Sequence, residues 1–231
     1  MRVTFASLAF ASVFAVLSPT LAGELVVLET RGTTLKSGQA IDDSKPLTLT
    51  EGEQVTLVLG DGSVLTLRGP FDKVPAADSG DGGGVVLALD ALTTRKAQRN
   101  EAGVVRDATV AVHLPDPWLV DVSHAGSMCV KAGENPVFWR ASTDGGTLTI
   151  MPPDRSWRAE ALWPKGSTTM EAPDYFPVRD GRTYLASFGG NPVAVTLNVL
   201  PPALGNTRME AAWMIEKGCI AQAEALIKTV R

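Results

Sequence analysis

The sequence predicts a mainly β protein: a small N-terminal β module, then a β-sandwich, then a C-terminal helix. Three observations carry this. Short runs of alternating apolar and polar residues, separated by Gly and Asp turns, fill residues 24–71; a second series of such runs fills 117–200; and from Asn206 onward the apolar positions recur every 3.6 residues. A period of two belongs to half-buried strands and a period of 3.6 to an amphipathic helix.

The chain opens on a different kind of segment. Arg2 is the only charge before Glu24, residues 5–17 are apolar apart from two serines, and Thr20-Leu21-Ala22 offers small residues for cleavage. That order predicts a secretory signal peptide over 1–22. The apolar run falls short of the roughly 18–20 residues that span a bilayer, and Pro19 breaks it. No cysteine stands at the cleavage position to carry a lipid. The expectation is export to the periplasm or the medium, without membrane insertion.

The N-terminal module is assigned to residues 23–75. Its predicted strands are 24–29, 33–35, 47–50, 54–59 and 63–68, with Asp61-Gly62 as a two-residue hairpin turn. Val55, Leu57 and Leu59 are expected on one face, answered across the turn by Val64 or Leu65 and by Leu67. The stretch from Gly38-Gln39-Ala40-Ile41 through Val55–Leu67, with its Asp61-Gly62-Ser63 turn and Gly69 break, resembles the FecR-type periplasmic β domain. The resemblance covers about 50 residues and implies an interaction or signalling module of the periplasm, with no catalytic residues to carry over.

Residues 76–112 read as a Gly-rich linker, Gly80 to Gly84, followed by a bridging helix in which Leu89 and Leu92 share a face and Arg95, Lys96 and Arg99 sit at the C-terminal end. The sandwich is assigned to 113–203, with seven strands at 118–122, 127–130, 137–140, 147–150, 157–163, 183–188 and 193–199. Cys129 precedes Trp139 by ten residues, and Tyr184 follows Asp180-Gly181. Both relations resemble the immunoglobulin pattern of core tryptophan and corner tyrosine. Ala186 stands where that pattern has its second cysteine, so Cys129 must pair elsewhere.

Residues 204–231 form the helical segment. Asn206 is the predicted cap, and Met209, Ala212, Trp213, Cys219, Ile220, Ala223, Leu226 and Ile227 keep to one side. Gly218 leaves two readings open: one kinked helix, or two short helices folded back. The second resembles a tetratricopeptide half-repeat, with Ala211, Gly218, Ala223 and Ile227 at its small, turn, small and bulky positions. Cys129 and Cys219 are the only cysteines. In an oxidising compartment they are expected to form one disulfide, the alternative being two buried thiols.

Chemistry is sparse. The net charge is −4 and there is no Lys/Arg run, so nucleic acid is not an expected partner. His113 and His124 stand apart, and neither Ser123 with Asp121 nor any G-x-S-x-G elbow spells a catalytic triad. Asp42, Asp43, Asp78 and Asp81 lack calcium-loop spacing, and two histidines give no zinc set. No catalytic residue, cofactor or metal is expected. The one hint of binding is aromatic: Trp157 and Trp163, six residues apart on one strand face beside Arg155 and Arg158, form a candidate binding surface. The expected function is a non-enzymatic binding, scaffold or accessory sensing protein of the cell envelope. Its partner would be another envelope protein, reached through an edge strand, or a cell-wall component. The competing expectation is an envelope hydrolase or carbohydrate-active enzyme using carboxylates near Trp157 and Trp163.

Overall fold

The computed structural model describes residues 24–75 and 113–229; the expected signal peptide, Gly-rich linker and bridging helix lie outside them. The fold is mainly β with C-terminal helices, as the patterning requires.

The N-terminal module has six strands: β1 (Glu24–Arg31), β2 (Ala40–Asp42), β3 (Leu47–Leu49), β4 (Gln54–Val58), β5 (Val64–Arg68) and β6 (Phe71–Lys73). Four make an antiparallel sheet in the order β2-β1-β4-β5, and β3 pairs with β6. Residues 33–35 are not a strand: Thr33 turns its hydroxyl back to accept the Leu35 N–H, a local turn that competes with a ladder. The β4–β5 register sets Val55 against Leu67 and Leu57 against Leu65, the pairing expected. The turn is longer than two residues. Gly62 N–H donates to Leu59 O at 2.8 Å and Leu59 N–H to Ser63 O at 2.9 Å, so Gly60, Asp61 and Gly62 form a three-residue loop with Gly62 at φ +87°.

The sandwich has eight strands: β7 (Leu119–Asp121), β8 (Gly126–Lys131), β9 (Val137–Trp139), β10 (Gly146–Met151), β11 (Ala159–Trp163), β12 (Thr169–Glu171), β13 (Arg182–Ser187) and β14 (Val193–Leu200). A five-stranded sheet, β11-β10-β13-β14-β8, faces a three-stranded one, β12-β9-β7. The β14–β8 and β7–β9 pairs are parallel. Val120 and Phe138 from the small sheet meet Leu148, Ile150, Trp163, Tyr184 and Leu197 from the large one in a single core. The immunoglobulin comparison holds at the corner, where the Tyr184 hydroxyl donates to the Pro177 carbonyl. It fails for the tryptophan: Trp163 occupies the main core, while Trp139 packs apart with Leu114 and Leu119.

Two helices close the chain, α1 (Thr207–Glu216) and α2 (Ile220–Thr229), which settles the open question at Gly218. Gly218, at φ +79°, donates to Ile215 O, and Cys219 N–H reaches Met214 O at 2.8 Å. These two bonds make a Schellman motif, in which a left-handed glycine satisfies the last carbonyls of a helix. Asn206 caps α1 with Oδ1, accepting from Arg208 and Met209 N–H, and its Nδ2 donates to Gly60 O at 2.8 Å, at the tip of the β4–β5 hairpin.

The helices do more than close the sandwich. Met209, Trp213, Met214, Leu226 and Ile227 share one cluster with Val26, Leu28 and Val58 of the N-terminal sheet and with Cys129 and Leu200 of the sandwich. The N-terminal sheet is thus buried on both faces, its other side carrying Leu25, Val27, Val55 and Leu57. The sequence signal was the unbroken run Leu25-Val26-Val27-Leu28, which departs from strict alternation as a doubly covered strand does. Cys129 and Cys219 form the expected disulfide, with Cα atoms 5.8 Å apart, fastening α2 to β8.

Gln222 of α2 completes this junction. It is fully buried; its Oε1 accepts the Cys129 N–H at 2.6 Å, and its Nε2 donates to Cys129 O at 2.8 Å and Leu119 O at 3.2 Å. β8 and β7 are edge strands of their sheets. One amide therefore satisfies the outward N–H and C=O of Cys129 on the β8 edge and bridges them to the Leu119 carbonyl on the β7 edge.

Candidate functional site

β10 ends at Met151 because Pro152 and Pro153 follow, and proline cannot donate to a ladder. The chain turns there. Asp154 Oδ1 accepts the Ser156 N–H at 3.0 Å and the Ser156 hydroxyl at 2.8 Å, while Arg155 N–H donates to Pro152 O. Within this turn Arg155 has φ +55°, a left-handed conformation uncommon for a residue with a side chain. The turn sets exposed Arg155 and Arg158 on either side of Trp157. Facing them, Leu185 and Ser187 of β13 lead into a loop held by the Ser187 hydroxyl donating to Gly190 O at 2.8 Å. Met151, Arg155, Trp157, Arg158, Leu185 and Pro192 line a cleft of about 540 Å³ between these walls.

Trp157 and Trp163 do not share a strand face: β11 begins only at Ala159, and its inward face, which ends in Trp163, is the core. Ala159, Ala161 and Trp163 turn inward, while Glu160 and Leu162 are exposed. Trp163 is only 1% exposed and its indole N–H donates to Ser167 O, so it is no binding residue. Trp157 lies just before β11, half-buried at the rim, its ring 6.0 Å from that of Tyr184. The expected surface of four residues reduces to Trp157 with its two arginines.

Two further cations strengthen the site. Arg179 and Arg182 lie near enough for their charge to act on Tyr184, although burial, the larger effect, pushes its phenol up. Arg182 also acts on Asp154, whose carboxyl is held below its ordinary range chiefly by the Ser156 N–H and hydroxyl. Two exposed arginines therefore line the cleft and two more lie within electrostatic reach of the Tyr184 ring behind it, in a chain of net charge −4. Periodicity could not show this, because Arg179 and Arg182 are more than 20 positions from Arg155.

The carboxylates nearest the cleft are engaged. Asp154 stays ionised in its turn, and Glu160 accepts Arg158 Nε at 3.2 Å. A glycosidase needs one carboxyl protonated near neutral pH, and Asp154 is shifted in the opposite direction.

A third cluster tests the triad question directly. Asp121 is fully buried; its Oδ2 meets His124 Nδ1 at 2.8 Å, and its Oδ1 accepts the Ser123 N–H and hydroxyl at 2.7 and 2.6 Å. The three residue types are together in the wrong order. A nucleophilic serine gives its proton to the imidazole nitrogen remote from the aspartate, whereas Ser123 donates to the aspartate itself. The cluster locks the turn after β7. Among the described residues no group of three or more His, Cys, Asp or Glu could hold a metal, and no helix is long and apolar enough to cross a membrane.

The chain matches no protein-family model, no curated protein and no solved structure.

Proposed function

We propose that this protein is exported and acts in the periplasm, or outside the cell, as a non-enzymatic recognition protein of the cell envelope. An N-terminal FecR-like module and a C-terminal sandwich are held together by the disulfide-fastened helices. The observation that carries the reading is the Trp157 cleft. Its lining combines Trp157, the apolar side chains of Met151 and Leu185, and the guanidiniums of Arg155 and Arg158, with no carboxylate or histidine among its described residues. Such a lining can hold an anionic envelope component, and it brings no general acid or base to bear on one. The cysteine pair supports export, since a lone disulfide belongs to an oxidising compartment.

Two measurements test this. Cell fractionation should place a form cleaved after Ala22 outside the cytoplasm. Isolated envelope material should co-sediment the wild-type protein and release an R155N/W157A/R158Q variant. Equal retention of both proteins would refute the role given to the cleft.

A further inference from the structure

We infer that the Trp157 cleft takes an acidic saccharide, with the sugar ring laid on Trp157 and its carboxylate held by Arg155 and Arg158; this rests on the recognition reading of the same cleft. A sugar acid has an apolar ring face, a rim of hydroxyls and a localised negative charge. Each finds its counterpart here. Trp157 packs against Tyr184 and lines the cleft, so its ring is already held in place before a ligand binds. On the facing wall the Ser187 hydroxyl donates to Gly190 O, so its oxygen remains as an acceptor for a sugar hydroxyl. The volume of about 540 Å³ falls within the size range of small-molecule sites.

The charge argument is specific. Arg155 makes no ion pair with a described residue, and Arg158 uses its Nε on Glu160, leaving the rest of its guanidinium available. Planar guanidinium forks match carboxylate geometry and form the stronger class of hydrogen bond. Arg179 and Arg182, outside the cleft lining, lie within electrostatic reach of Tyr184, the ring against which Trp157 packs. The left-handed backbone at Arg155 would suit Gly or Asn better, yet a long cation stands there, on the cleft lip.

The two halves of the site separate the candidates. An acidic peptide would use the arginines and leave Trp157 idle; a neutral sugar would do the reverse. Isothermal titration of the mature chain should be made with trigalacturonate, its methyl ester and triglutamate. Trigalacturonate should bind, and Arg155→Asn or Arg158→Gln should each weaken it by about tenfold, the loss of one charge-assisted contact. Trp157→Ala should abolish binding and Trp157→Phe should retain it, which separates loss of the platform from disturbance of the Tyr184 contact. The methyl ester should bind about tenfold more weakly for the same electrostatic reason.

Triglutamate binding as tightly as trigalacturonate would overturn the inference. So would trigalacturonate binding that ignores Trp157→Ala in a folded protein. If no saccharide binds while envelope co-sedimentation still depends on the arginines, the ligand class is wrong and the recognition reading stands. Loss of both results removes both.

Discussion

Replacing Gln222 with Leu changes little volume and no charge, yet it should be among the most damaging substitutions in the chain. The amide makes three hydrogen bonds in a fully buried site, one accepted from Cys129 N–H and two donated, to Cys129 O and Leu119 O. Leucine leaves all three backbone groups in place without partners. An orphaned buried polar group is destabilising by about 1–3 kcal/mol, with carbonyls toward the low end, so the three together come to about 3–5 kcal/mol. Against a typical net stability of about 5–15 kcal/mol this is a large share. For a domain of this size it corresponds to a fall in melting temperature on the order of 10 °C. Differential scanning calorimetry of oxidised protein measures it, with the disulfide intact so that the staple does not confound the comparison. Gln222→Glu gives a signed companion. Its carboxylate can accept from Cys129 N–H but cannot donate, and burial raises its pKa in the folded state. That variant should therefore gain stability as pH falls through the folded-state value toward the unfolded one, and lose it as pH rises. A Leu variant within about 1 kcal/mol of wild type would refute the claim that this amide completes the two sheet edges.

Other perturbations follow from the same geometry. A C129A/C219A protein loses a link spanning 90 residues, worth about 4.5 kcal/mol in the chain-entropy model. It should unfold at lower urea and expose the last 25 or so residues to protease; unchanged proteolysis would show that packing alone holds the helices. Gly69→Ala should abolish stable folding of the N-terminal module, because the new Cβ would fall 1.7 Å from Thr50 O, a backbone atom that cannot swing away. Circular dichroism of the purified variant reads this. The hydrogen bond from the Ser44 hydroxyl, followed by that from Lys45, holds the half-buried Asp42 carboxyl down to about 2. What it contributes to stability is present above the unfolded-state value and lost as pH falls through about 2, and in Ser44→Ala the titration followed by NMR should move up toward 3.8.

Much of the fold was legible along the chain because its signals are local. Alternation marked β4, β5 and most of the sandwich strands; Asn206 marked the start of α1, and two lone cysteines marked each other. Short strands such as β2, β6 and β12 were not legible. Ala40-Ile41-Asp42, Phe71-Asp72-Lys73 and Thr169-Met170-Glu171 each hold one large apolar residue and so show no alternation, and a partner across the sheet makes them strands. The site was half legible. Arg155, Trp157 and Arg158 are neighbours in sequence, but whether Trp163 looked outward depended on the opposing sheet, which buries it, and Trp157 falls before the strand begins.

By itself the sequence determined the mainly β character with helices after it, and the scarcity of reactive side chains, since each follows from residue type and short-range spacing; it offered the Cys129–Cys219 disulfide as one of two outcomes. Tertiary structure alone decided that the terminal helices pack against both β units, that Gln222 bonds the backbone of two sheet edges, and that Arg179 and Arg182 come within reach of the ring beside Trp157. Those outcomes depend on contacts between residues tens of positions apart, and no periodicity along a chain records which distant surfaces will meet.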